Sequence, residues 1–468
     1  MNIISRSLLI ALIISLSTCY GASADEAFTS FQSDWKNQND RVWIGPEYWA
    51  NPMEDWQLKE GRLECTRLLP RRNVHLLTHR LGKEKGTFEC SVILGVSNFN
   101  ASQKGFAGFE IGIQSELKDY RSSLLRGKGI QIGINMQGEI VVPSARIIEQ
   151  DNLGNTQAVQ KALQGEGVKL SLFYLKTNER EESIKIVITD PSSGKLLHTM
   201  QMSGRFASKL IGNIALLSNP LPPHNSKQKK STYWFKDWKV SGTKLVVNKE
   251  HTFGPILYSM YTLSRGVMKL NVQMPPMGEK DSQEVSLMYS NGKKSRAFIT
   301  SQIDKHSRTA LFTIKNWNDK KDISYRIVYN MKNRKGKITS YSFKGIIRKD
   351  PVDKETISVA GFTGNTDPAF PNNLLAENVK KQNPDLLLFT GDQIYEGVGG
   401  YGIIRSAKAG NKEKAILNYL RKIYLWGWAF RDVLRDRPSI VLPDDHDVYQ
   451  GNIWGENGKL TPNGMKDH

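Results

Sequence analysis

Asp385-Leu386-Leu387-Leu388-Phe389-Thr390-Gly391-Asp392 is an apolar run that stops abruptly in Gly-Asp. An unbroken run of large apolar residues between polar ones is what a strand covered on both faces requires. Upstream, Ile357 to Ala360 is a second short apolar run, ending in Gly361-Phe362-Thr363-Gly364-Asn365. Between them, Pro371 and Asn372 open a helix with Leu375 and Val379 on one face. Strand, helix and buried strand make a βαβ unit with a parallel pair. Downstream, Ile416, Leu420, Ile423, Trp426 or Gly427, and Phe430 mark one face of a longer helix over 412–434. Ser439-Ile440-Val441-Leu442 then reads as a further strand, ending in Pro443-Asp444-Asp445-His446-Asp447. Residues 356–468 are therefore read as the N-terminal part of an α/β domain.

In such a sheet, ligands bind beyond the carboxyl ends of the strands. Three polar clusters fall there: Thr363 to Asp367, Gly391 to Glu396, and Asp444 to Asp447. Carboxylates suit hard cations, and a histidine among them serves as a ligand or a proton donor.

The preceding sequence is of another kind. Residues 25–247 alternate apolar and polar positions in short runs, as in Phe109-Glu110-Ile111-Gly112-Ile113 and Ile130-Gln131-Ile132-Gly133-Ile134. Turn signals such as Asn135 to Glu139 and Pro191 to Gly194 separate them. Many short strands at this spacing predict a β-sandwich. With the Trp-rich opening (Trp43, Trp49, Trp56) and the closing run Tyr233 to Val240, the stretch resembles a concanavalin-like or laminin-G-like jelly roll. Such modules often bind glycans, although the aromatics read first as core. Pro220 to Ser231 reads as an exposed loop. Residues 250–350 alternate likewise, and about seven strands in about 100 residues suit an immunoglobulin- or fibronectin-like sandwich serving as spacer.

The chain has 468 residues, 39% hydrophobic and 24% charged, a globular balance that excludes collagen-like, coiled-coil and wholly disordered chains. Its formal net charge is +19, and the excess falls in the first 350 residues. That surface suits an anionic envelope polymer, or is simply a solvated Lys-rich face. No bZIP, zinc-finger or RNP1 pattern points to specific nucleic-acid binding.

Residues 1–24 read as a signal peptide, with Arg6, the apolar run Leu8 to Leu16, and Ala22-Ser23-Ala24 before Asp25. The expected location is secreted or periplasmic. No segment reads as transmembrane, and a lipid anchor at Cys19 is not expected with Thr18 before it. Cys65 and Cys90 are then left either to form one disulfide in an oxidising compartment or to be buried thiols.

The pair Gly391-Asp392-Gln393-Ile394-Tyr395-Glu396 and Leu442-Pro443-Asp444-Asp445-His446-Asp447, about 50 residues apart, resembles the PhoD-like alkaline phosphatases and phosphodiesterases. These belong to the calcineurin-like metallophosphoesterase superfamily. The Gly-Asp-x-x-Tyr piece is also similar to purple acid phosphatases. The resemblance implies that Asp392 bridges two metal ions and that Tyr395 ligates a ferric ion. It implies that Asp445 binds the second metal, that His446 protonates the leaving group and that Asp447 orients that histidine. The first motif of the superfamily is absent. Asn365 is favoured there as ligand or phosphate contact, with Asp367 as the alternative. The implied cofactors are two divalent or trivalent ions: iron, calcium, zinc or manganese.

The superfamily completes its site with further downstream histidines, and only His468 follows His446 here. The expectation is a fragment, inactive alone. For the intact protein the resemblance implies an exported phosphatase or phosphodiesterase acting on a phosphate-ester substrate. The alternative is a glycan- or polyanion-binding β-sandwich with an inactive phosphatase remnant.

Overall fold

The computed structural model describes residues 28–143, 150–176, 182–222, 231–290, 296–404 and 410–448. The signal-peptide reading, Cys19, most of the loop read over 220–231, and the tail with His468 lie outside them.

The first unit is a sandwich of two antiparallel sheets. In the nine-stranded sheet the main path runs Gln150–Gly154, Leu196–Gly204, Glu182–Thr189, Val168–Lys176, Phe88–Ser97, Thr232–Gly242, Arg62–Cys65, Trp56–Lys59. Thr29–Gln32 joins it on Thr232–Gly242. The seven-stranded sheet centres on Arg72–Leu81, Gly212–Pro220, Gly105–Gln114 and Lys128–Asn135. The inward members of the alternating runs, such as Leu94 and Leu172 from one sheet and Phe109, Ile132 and Leu216 from the other, form one core. Trp43, Trp49 and Trp56 are buried, so these tryptophans are core and offer no sugar-stacking surface. Two helices ride on the sandwich, α1 (Tyr120–Arg126) and α2 (Thr156–Gln164).

The disulfide reading of Cys65 and Cys90 is overturned, because both thiols are free and buried. The strand Thr232–Gly242 runs between their strands, with Trp234 opposite Glu64 and Val240 opposite Cys90. The two cysteines thus stand about 10 Å apart across the sheet and roughly 20 Å apart along it. A disulfide needs Cα atoms within about 7 Å. Burial pushes the Cys65 thiol up to about 11 and raises Cys90 further.

The second unit holds a three-stranded sheet (Tyr258–Ser264, Val267–Gln273, Thr309–Ile314) and a four-stranded one (Arg296–Gln302, Glu284–Ser290, Ile323–Lys332, Ile338–Ile347). In Ile323–Lys332 the inward positions are Ile323, Tyr325, Ile327, Tyr329 and Met331, an unbroken period of two.

In the third unit Val359–Phe362, Leu386–Phe389 and Ser439–Val441 pair in parallel, in that order. α3 (Asn373–Gln382) links the first two strands and α4 (Lys412–Leu434) the last two. Phe362 and Phe389 turn to one face and pack against Phe430, with ring centroids 5.3 and 5.5 Å apart. The other face departs from the two-sided burial read from the sequence. Leu386 and Leu388 are half-buried, while Val359, Ile440 and Leu442 are 48%, 41% and 50% exposed. Both helices pack on the same side, so among the described residues nothing covers the second.

α4 also departs from its reading as a one-faced helix. It is enclosed by all three units, and its core is continuous with residues of each. Trp428 packs on Trp49 and Phe253 at 5.6 and 5.1 Å, and Trp426 on Tyr258 at 5.9 Å. Gly427 permits this approach, since a Cβ there would lie 1.9 Å from the Tyr258 ring. Asn418 and Arg421 on α4 are buried and meet the sandwich. Glu54, in the 3-10 turn Met53–Asp55 of the sandwich, sits 3.4 Å from Arg421 Nε and accepts from Asn418 Nδ2 at 2.7 Å. Both ends of the Glu54–Arg421 pair are fully buried. Removing one partner strands a charge in the interior. Glu54→Ala is therefore expected to cost about 3–5 kcal/mol, read as a lowered midpoint in denaturant unfolding.

Candidate functional site

Because the three strands are parallel, their carboxyl ends open on the same side, and the three polar clusters meet there. Backbone bonds tie the loops together. Gly364 N–H donates to Gly391 O at 3.3 Å, Asn365 N–H to Asp392 O at 2.9 Å, and Leu442 N–H to Phe389 O at 2.9 Å. Gly391 is required by space as well as by its φ of 115°, since a Cβ there would meet Asp444 Cβ at 2.4 Å. Asp392 follows in the left-handed region at φ 54°. Asp and Asn tolerate that conformation better than other side chains do.

Of the residues expected from the sequence, Asp392, Asp445 and His446 converge. One donor atom from each lies within 4.8 Å of the other two. The Tyr395 hydroxyl donates to Asp392 Oδ2 at 3.1 Å, and its ring lies 4.6 Å from that of His446. Burial, the bond to Asp392 and the negative charge of Asp392, Asp445 and Asp447 push the phenol up to about 12. Asn365 is placed beside Asp392 by its backbone bond, and its Nδ2 is buried without a partner. Asp367, the alternative to Asn365, faces elsewhere: it pairs with Arg126 at 3.0 Å and accepts from Gly399 N–H at 3.2 Å.

The role expected for Asp447 is not the one it plays. Its Oδ1 accepts from the N–H groups of Gln393 and Ile394 at 2.9 and 3.2 Å, and its Oδ2 from Asp444 N–H at 3.0 Å. Buried and spent on three backbone donors, it staples the second loop to the third and does not orient His446. Burial raises its carboxyl even against those donors. The partner of His446 is Glu396, whose Oε2 lies 2.8 Å from Nδ1. Glu396 stands at the end of the Gly391–Glu396 run, but spacing alone did not single it out.

The donor set fits a hard cation. Asp392 Oδ1 is buried with no hydrogen-bond partner, at the point where Asp445 and His446 converge. Such an orphaned carboxylate oxygen is costly unless a positive group meets it. Asp392 and Asp445 would hold the ion, with His446 beside them and Tyr395 within reach of the same carboxylate. This is one cation's worth of convergent ligands among the described residues.

No protein-family model matches the chain, and no curated protein matches it. Several solved structures resemble part of it. Arcelin-5, a lectin-like defense protein from Phaseolus vulgaris, aligns with 46% of this chain and 98% of its own at 11% identity and a TM-score of 0.30. Lectin II from Ulex europaeus aligns over the same shares at 12% identity and 0.29. The Ca2+-bound exoplasmic/lumenal domain of VIP36 covers 45% of this chain and 87% of its own at 8% identity and 0.26. All three likenesses stop well short of the full chain.

His446 titrates above its ordinary value. Burial disfavours the imidazolium, but the bond and charge of Glu396, with Asp392 and Asp445, outweigh it. A raised folded-state value means stabilisation present in acid and lost as pH rises through that value. In the metal-free protein, Glu396→Gln should lower the His446 pKa in an NMR titration. It should also reduce stability at about pH 5 more than at about pH 8.

Proposed function

We propose that the cluster at the strand ends is the centre of a metal-dependent phosphoester hydrolase of the PhoD-like kind, in an exported protein. One observation carries the reading: Asp392, Asp445 and His446, drawn from two motifs about 50 residues apart, bring their donors within 4.8 Å at the carboxyl end of a parallel sheet. A bound cation there would polarise a phosphoryl oxygen and make a water nucleophilic near neutral pH. The chain's own groups do the rest. Asp392 and Asp445 fix the charge that holds the ion. The Tyr395 hydroxyl sets the rotamer of the Asp392 carboxylate. His446, held by Glu396 through Nδ1, keeps Nε2 available to protonate the leaving oxygen. A second ion, iron at Tyr395 and Asn365 as a phosphate contact belong to the same proposal. So does the choice between monoester and diester.

The test is metal binding followed by turnover. Calorimetric titration with Mn2+ or Ca2+ should show a site that Asp392→Asn removes. In the intact protein, release of phosphate or alcohol from chromogenic mono- and diesters should be abolished by chelation and should fall about 100-fold or more in His446→Ala. Full turnover in either variant would sink the assignment.

A second reading concerns the sandwich. Two large antiparallel sheets sharing one core are a layer architecture that lectin domains use. It supports glycan binding by the first unit through its loops and polar faces, since the tryptophans named above are in the core. The two readings are compatible: a binding module beside a hydrolytic centre. On a glycan array, the Asp392→Asn protein should retain any sugar binding that the sandwich supplies.

A further inference from the structure

All three units border a groove of about 1100 Å³ on the side where α4 begins. Its floor is rigid. Arg41 of the sandwich and Asp281 of the second unit form a buried pair at 3.3 Å. Asn39 donates both to Asp281 Oδ1 at 2.9 Å and to the carbonyl of Lys332 at 3.0 Å. The carboxylates on the walls are largely neutralised. Asp40 pairs with Arg334, and Glu413, at the start of α4, with Arg308 at 2.6 Å. Four exposed lysines, Lys59, Lys280, Lys305 and Lys332, remain on the rim with only Glu279 as an unpaired acid. Three arginines are spent on local carboxylates and four lysines are not, so the surplus charge is collected on the most mobile, most hydrated cations. Lysines of this kind suit diffuse ionic contact with a chain of anions better than fixed two-point recognition of a single group.

Among the described residues, no Phe, Tyr or Trp lines the groove. Bases have nothing to stack on, which removes the main source of affinity for single-stranded nucleic acid beyond charge. The same lack leaves no platform for a neutral sugar ring. The volume exceeds what one small anion fills.

From these features we infer that the groove binds a linear anionic polysaccharide, one bearing carboxylate or sulfate groups, by ion pairing with Lys59, Lys280, Lys305 and Lys332. The inference goes beyond the hydrolytic reading and needs neither a metal nor turnover. Because the walls come from three units, the site exists only in the assembled chain.

The test uses the whole protein with heparin oligosaccharide and polygalacturonate as probes, neutral dextran as blank and a DNA duplex of matched charge as competitor. A fourfold reversal to Glu at Lys59, Lys280, Lys305 and Lys332 should weaken polymer binding by about tenfold or more and flatten its salt dependence, as loss of ion-pair contacts does for linear polyanions. The same four positions changed to Gln should show a smaller loss in the same direction. A control reversal at Lys104, Lys161, Lys195 and Lys209, exposed on the sandwich, makes the same change in net charge and should leave binding within about twofold. Equal losses in the groove and control variants would overturn the proposal, as would no binding of either polymer at low salt, or duplex DNA bound as tightly as heparin.

Discussion

The buried pair of Glu54 and Arg421 is the constraint on which the rest hangs. A glutamate from the sandwich reaches into the third unit and meets a charge on its longest helix with both side chains out of water. That pairing fixes the rotation of α4 about its axis, and the rotation fixes much else. Arg421 also donates from Nη1 to Val398 O at 3.2 Å, and Asn418 to Gly402 O at 3.3 Å, so the chain just after the Gly391–Glu396 run rests on the same turn. Trp426 and Phe430 then face the sheet, while Gly427 faces Tyr258. A one-residue change in that rotation would place a side chain where the Tyr258 ring now lies.

The sandwich and the candidate metal centre are therefore mechanically connected. Arg126 of α1 holds Asp367, Asp119 accepts from Asn373 at 2.7 Å, and the Tyr401 hydroxyl donates to Arg71 O at 3.1 Å. The first strand-end loop is thus braced from outside its own unit. The third is braced from within by Asp447, which converts a buried carboxylate into three backbone hydrogen bonds. Asp392 and His446 are presented by loops whose backbones have little freedom left, which is what a preorganised site needs.

Much of this was legible in the sequence, and the failures have physical causes. Period-two alternation located strands such as Ile323–Lys332, because one face of each is wet and the other dry. The strand-end motifs placed Asp392, Asp445 and His446 together, because parallel strands must end on one side. Asp447 was expected to orient His446 and Glu396 does so instead, because spacing does not say which nearby carboxylate turns inward to the backbone. Glu54 carried no local signal: an acid in Pro52-Met53-Glu54-Asp55 reads as a surface turn, and its partner lies 367 positions further on. The cysteines could not be resolved without knowing that a third strand separates theirs. The second face of the parallel sheet read as buried because its leucines are as apolar as those of the first, and composition does not say what covers them.

That face, uncovered among the described residues, has a consequence for how the protein behaves in bulk solution. Val359, Ile440 and Leu442 lie exposed on it, beside a chain with a formal charge of +19. At low ionic strength, mutual repulsion keeps molecules apart and the apolar strip stays wet. Raising the salt shortens the reach of that repulsion to a few ångströms while leaving the strip's cohesion intact. Sulfate and phosphate strengthen it further. The strip's cohesion and the long-range field thus act against each other, and the counter-ion sets the balance point.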